Sequence, residues 1–226
     1  QQRVRALCRD ADVVIENFKC GDLSRYGLDA GALRQLNPRL VWCSITGFGQ
    51  DGPYADRPGY DFVVQAMGGI MDLTGTPEQE PQKPGVAYAD LFTGLYSVIA
   101  IQAALAARQH TGEGALIDMA LFDTQVAVLA NQGMNFLVSG VAPQRMGNAH
   151  PNLVPYQVFR VADGELVIAV GSDQQFARLA AVLGVAELAE DARARSNADR
   201  VQHREFVIGR LQERCLLWNR DQLTAA

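Results

Sequence analysis

The run Asp12-Val13-Val14-Ile15-Glu16-Asn17 decides the fold class. Consecutive β-branched residues bounded by polar ones have the composition of a short strand buried in a parallel sheet. Leu28 to Leu36 follows with a short helical pattern, which must stop before Asn37-Pro38 because a residue ahead of proline is driven out of the α region. Leu40-Val41-Trp42-Cys43-Ser44-Ile45 then repeats the strand signature. Strand, helix, strand in this order predicts α/β organisation.

Working outward, Val4 and Leu7 are spaced for the last turns of a helix that began earlier, and Leu211 to Ala226 is helix-like without a stop signal. The sequence is therefore expected to be a fragment. A Gly/Pro-rich loop runs from Gly47 to Gly59, a helix is predicted over 60–71, and Thr74 to Pro84 reads as a loop. The longest helical candidate is Asp90 to Arg108, with Leu91, Leu95, Val98, Ile99, Gln102 and Leu105 near helical spacing and Thr111-Gly112 as its end. A strand over 115–119 and a helix over 121–137 come next. Residues 139–155, rich in Gly, Pro, Asn and His, mark a boundary, and beyond it Tyr156–Val161 and Glu165–Val170 flank a hairpin turn at Ala162-Asp163-Gly164. A helix over 173–183 follows, so the second region is α+β. The expected organisation is a large domain over 1–138, a linker or substrate loop over 139–155, and the opening of a smaller domain over 156–226.

The chain has 226 residues, 48% of them hydrophobic, enough for a large core and part of a second one. A net charge of -5 without any basic run disfavours nucleic acid and anionic lipid as partners. Leu91 to Ala107, the most apolar segment, is interrupted by Thr93, Gly94, Ser97 and Gln102, so no membrane span is expected. Cys8, Cys20, Cys43 and Cys215 show neither zinc-ligand nor disulfide-framework spacing. A soluble, cytoplasmic protein with reduced thiols and no metal is the expectation.

Gly47-Phe48-Gly49-Gln50-Asp51-Gly52 is a formal dinucleotide fingerprint, but Pro53, Pro58 and Gly59 stand where a helix should open onto the pyrophosphate. A mobile glycine loop is the simpler reading. His110 and His203 lie in polar surroundings, whereas His150 sits in Gly147-Asn148-Ala149-His150-Pro151-Asn152, where small and polar groups converge. Asp90 can cap the long helix by accepting its first backbone N–H groups, and a carboxylate so placed is also held ionised by the helix dipole and open to use as a nucleophile. Asn17 and Phe18, with Arg25 close behind, follow the first strand, where an α/β fold places ligand-binding groups; an amide, an aromatic face and a guanidinium suit adenine and phosphates. Turn chemistry explains the same residues equally well.

Several segments, in order and spacing over nearly the whole chain, resemble the class III CoA-transferases, the family of formyl-CoA transferase and carnitine CoA-transferase that also includes α-methylacyl-CoA racemase. They are Val14-Ile15-Glu16-Asn17-Phe18 with Gly21 and Arg25, Gly52-Pro53-Tyr54 with Arg57-Pro58-Gly59-Tyr60-Asp61, and Gln65-Ala66-Met67-Gly68-Gly69. Ala89-Asp90-Leu91-Phe92-Thr93-Gly94 and Thr111-Gly112-Glu113-Gly114 leading to Ile117-Asp118 complete the set. The resemblance implies a Rossmann-like large domain and a smaller α+β domain in an interlocked homodimer. It implies Asp90 as nucleophile, Asn17, Phe18, Arg25 and Tyr60 as contacts to coenzyme A, and acyl-CoA and small carboxylates as substrates.

The racemase branch carries Gly-His-Asp where this chain reads Gly59-Tyr60-Asp61, and tyrosine, with an ordinary pKa of about 10, is a poor base near neutrality. The resemblance thus favours transfer over racemisation, with a non-catalytic CoA-binding fragment as the remaining alternative. Formyl-CoA transferase has a glycine-rich loop where this chain has Gly147, Asn148 and His150, so oxalate or formate chemistry is not expected. His150 is instead a candidate for binding a substrate carboxylate. Members that use succinyl-CoA and small dicarboxylates are the nearest in motif.

Overall fold

Val13–Glu16 (β1), Val41–Thr46 (β2) and Leu116–Ala120 (β3) form one sheet in the order β1-β2-β3, with both pairings parallel. The computed structural model describes residues 1–226 and divides into two units, residues 1–74 with 80–144 and residues 75–79 with 145–226. The predicted linker therefore straddles the point where the first unit ends, and a short piece of the 74–84 loop joins the second unit.

In the first unit β2 is the central strand, and the alternation of its side chains divides the core between two faces. Leu40 and Trp42 pack with Cys8 of Gln2–Asp10 (α1) and Leu33 of Ala30–Leu36 (α2). Ile45, on the other parity, packs with Val64 of Asp61–Met67 (α3), Ala89 of Tyr88–Thr111 (α5, after a short α4 at Ile70–Leu73) and Leu121 of Leu121–Ala127 (α6). Helices on both faces satisfy the two-sided burial that a parallel sheet demands. Where β3 approaches β2, a Cβ on Gly114 would collide with the Leu40 carbonyl, so only glycine fits there.

Two predicted helices are each broken in two. The 60–71 segment divides at Gly68-Gly69, with Gly69 at φ 87, and the 121–137 segment divides before Asn131–Ser139 (α7), where Ala130 sits at φ 50. The long helix runs further than predicted, from Tyr88 to Thr111, and ends on Gly112 in the left-handed region. Its buried residues are small or polar: Ala89, Thr93 and Ser97, four apart on one face. Thr93 Oγ1 donates to Ala89 O (2.6 Å) and Ser97 Oγ to Thr93 O (2.7 Å), so each hydroxyl is satisfied within the helix. Leu91, Leu95, Val98 and Ile99 of the expected apolar pattern are exposed. By length and composition α5 alone would suffice to cross a membrane, which corrects the reading of residues 91–107 as too interrupted for that.

The second unit opens with the predicted hairpin, Tyr156–Val161 (β4) antiparallel to Gly164–Ala169 (β5). Asp173–Val182 (α8), Asn197–Gln202 (α9), Arg204–Cys215 (α10) and Arg220–Ala225 (α11) complete it. Its core gathers Phe159, Phe176, Leu183, Val207 and Leu211. Arg200 is fully buried among them.

Candidate active site

The carboxyl ends of all three parallel strands open onto one cleft of about 540 Å³. Asn17, Phe18, Lys19 and Cys20 leave β1, Ile45 to Gly47 end β2, and Leu121 follows β3; residues 55–61 and Asp90, Thr93 and Gly94 of α5 close the wall. This is where an open α/β sheet binds ligands, because the loops diverge there and helix N-termini converge. The cleft floor is held by contact between two glycines: a Cβ on either Gly47 or Gly59 would strike the backbone of the other.

The glycine loop after β2 opens no helix; α3 begins only at Asp61. Asp118 Oδ2 accepts from Gln50 N (2.8 Å), Thr46 Oγ1 accepts from Gly49 N (2.9 Å), and Gly47 O accepts from Phe122 N (3.0 Å). The start of the loop is thus tied at three points, Gly47, Gly49 and Gln50.

Asp90 occupies the third position of α5, and Ala87 precedes the helix without capping it. The cap comes from α3: Asp61 Oδ1 accepts from Ala89 N (2.8 Å) and Asp90 N (3.3 Å). Asp61 Oδ2 accepts in turn from Gln65 Nε2 (2.6 Å), which also reaches Val86 O (3.3 Å). Asp61 therefore satisfies the orphan donors that the sequence had assigned to Asp90. The Asp90 carboxylate has no hydrogen-bond donor in the protein and faces the cleft. Partial burial, then repulsion from Asp61, pushes its carboxyl above the ordinary 3.8. The expectation that the helix end would favour its charged form is thus overturned, because Asp61 already occupies that end.

Of the candidate contacts, Asn17, Phe18 and Tyr60 line the cleft with Asp90. Phe18 and Tyr60 present exposed rings. Arg25 is absent from the wall, because the chain turns into a short 3-10 helix at Ser24–Tyr26 and its guanidinium is engaged by Asp22. The cations in the wall are Lys19 and Arg57, the latter stacked 4.2 Å from the centre of the Tyr54 ring. Neither was assigned as a ligand contact from the sequence, although Arg57 stands in one of the family-like segments and Lys19 lies just beyond the β1 carboxyl end, where the α/β rule places ligand contacts.

Gly147, Asn148 and His150 belong to the second unit. Gly147 adopts φ 59 and donates its N–H to Gly75 O (3.0 Å), and Asn148 is exposed. His150 Nδ1 accepts from Asn152 N (3.0 Å), so a neutral ring carries its proton on Nε2. Arg204 fixes the same turn from α10, donating to His150 O (2.8 Å) and Pro151 O (3.0 Å).

Comparison with known proteins places these features in a family. The chain is 58% identical over 98% of its length to a succinate–glutarate CoA-transferase of Agrobacterium fabrum, covering 56% of that protein. It is 40% identical over 93% of its length to the human succinyl-CoA:glutarate CoA-transferase, covering 48% of it. The crystal structure of a CAIB/BAIF family protein from Brucella suis, 59% identical, matches 99% of the chain with a TM-score of 0.76, covering 59% of that protein. Rv3272 of Mycobacterium tuberculosis, 29% identical, matches 99% with a TM-score of 0.85 and is covered to 60%. The chain spans about half the length of the curated relatives it matches. CoA-transferase family III matches residues 1–226 in full, and the chain belongs to that family.

Proposed function

We propose that the protein transfers coenzyme A between small dicarboxylic acids, with succinyl-CoA as donor and glutarate as acceptor, and that Asp90 carries the acyl group. The observation that carries this reading is the Asp90 carboxylate, free of protein donors, in a cleft at the carboxyl ends of three strands. The names of the relatives from Agrobacterium fabrum and human supply the acids.

Asp90 attacks the thioester carbonyl of the donor and expels CoA thiolate, leaving a mixed anhydride. The thiolate attacks the aspartyl carbonyl and releases the donor acid as carboxylate, which leaves an aspartyl-CoA thioester. An acceptor carboxylate attacks that thioester and expels thiolate again; the thiolate then takes the acceptor acyl group and restores the Asp90 carboxylate. Lys19 and Arg57 offer charge to CoA phosphates, and Phe18 and Tyr60 offer ring faces. Gly147, Asn148 and His150 are read as the acceptor-binding loop, with the His150 Nε2–H as a donor to a carboxylate.

Mixing the protein with succinyl-CoA and glutarate is expected to yield glutaryl-CoA and succinate in equal amounts. A racemase would instead exchange the α-proton of a 2-methylacyl-CoA in deuterated water without any acceptor acid, and that outcome would replace the transferase reading.

Gly94 lies one turn beyond Asp90 on the same face of α5, and a Cβ there would meet nothing within 4 Å. Glycine inside a helix costs about 0.5–1 kcal/mol relative to alanine, and no packing in this unit requires it. The space is assigned to the acyl group. Gly94→Ala is expected to raise the thermal midpoint while lowering kcat/KM for succinyl-CoA more than for acetyl-CoA; equal effects on the two donors would count against the assignment.

A further inference from the structure

Gln65 is fully buried in α3, and its amide joins the first residue of its own helix, through Asp61 Oδ2 (2.6 Å), to the chain entering α5, through the Val86 carbonyl (3.3 Å). Its Oε1 has no partner. A buried amide with one unsatisfied atom is costly, so its placement here calls for a reason. Through Gln65, the Asp61 carboxylate is fixed on the Ala89 and Asp90 N–H groups, directly behind the proposed nucleophile.

We infer that Asp61, braced by Gln65, is a positioning residue that drives acylation of Asp90 by holding a fixed negative charge beside it. The inference rests on the transferase reading and extends it. Asp90 carries a charge as free carboxylate and none as anhydride or aspartyl-CoA thioester. Repulsion from Asp61 is therefore present before acylation and absent after it, which favours the covalent form. The same repulsion contributes to the upward displacement of the Asp90 carboxyl, after the larger effect of burial. Asp61 also takes the helix-end donors, so that Asp90 is not held by them. The other titratable groups facing the cleft, Lys19, Cys20, Asp56, Arg57 and Tyr60, do not bond to Asp61.

Asp61→Asn keeps the shape and one capping oxygen, and its new N–H₂ can face Gln65 once that amide turns to present the unpartnered Oε1, Nε2 then giving up its 3.3 Å bond to Val86 O. With succinyl-CoA alone, the ratio of Asp90 thioester to free carboxylate is expected to fall, and the acidic limb of kcat/KM to move to lower pH. The two changes share one origin, so the ratio should drop about tenfold for each whole pH step by which the limb moves. A merely structural role for Asp61 would change neither. Wild-type values of both in a folded Asp61→Asn variant would overturn the inference. Should that variant not fold, Gln65→Met carries the test: it keeps the charge but removes its brace, so with succinyl-CoA alone the ratio of Asp90 thioester to free carboxylate should fall, and a wild-type ratio would overturn the inference. Absence of any label on Asp90 in the wild-type protein would instead defeat the transferase reading itself.

Discussion

Asp90→Asn is expected to lower CoA transfer on the order of 10³-fold or more while leaving the fold intact and CoA still bound. The amide has the size of the carboxylate but cannot attack a thioester, and the neighbouring carboxylate, Asp61, is committed to the α5 backbone and cannot take its place. Stability should move the other way. Folding raises the Asp90 carboxyl above 3.8, so the folded chain holds that proton more tightly than the unfolded chain. The group favours folding below pH 3.8 and loses that contribution as pH climbs through the folded value. At neutral pH the ionised carboxylate is a burden, and its neutral amide should raise the thermal midpoint. A variant both inactive and less stable would point to a structural role.

Arg200→Leu is expected to destabilise the second unit by about 3–5 kcal/mol, the largest effect on stability predicted for any single site here. Arg200 is fully buried and donates from Nε to Val154 O (2.7 Å), from one terminal nitrogen to Ala194 O (2.9 Å) and from the other to Asp173 (2.8 Å). Its guanidinium carbon also stacks 4.3 Å from the Phe176 ring centre. Leucine would strand two carbonyls in a dry interior, whereas Asp173 is exposed and simply rehydrates. Thermal unfolding should show a drop of more than about 10 °C, and a shift within a degree or two would contradict the account.

The sheet and the hairpin were legible because their patterns are local: β-branched runs, Asn37-Pro38 as a helix stop, and Asp163-Gly164 as a turn. The α5 helix was legible in position but its buried face was not. Leu91, Leu95 and Ile99 form the conspicuous stripe, yet the sheet is approached by Ala89, Thr93 and Ser97, whose small side chains let the helix lie close. The breaks at Gly69 and Ala130 depend on left-handed backbone that sequence pattern does not announce at an alanine. In the site, Asp90 could be placed at a helix start, but the cap from Asp61 links residues distant in sequence, and only the packing of α3 on α5 brings them together. Arg25 was a plausible cation by sequence position; a nearer carboxylate, Asp22, claims it.

Whether the Asp90 carboxylate itself carries the acyl group can be read by incubating the protein with succinyl-CoA, quenching with hydroxylamine or borohydride and mapping the modified peptide by mass spectrometry. Hydroxylamine should leave a hydroxamate, and borohydride a reduced side chain, on Asp90 alone. Modification at another residue, or none during active turnover, would contradict it.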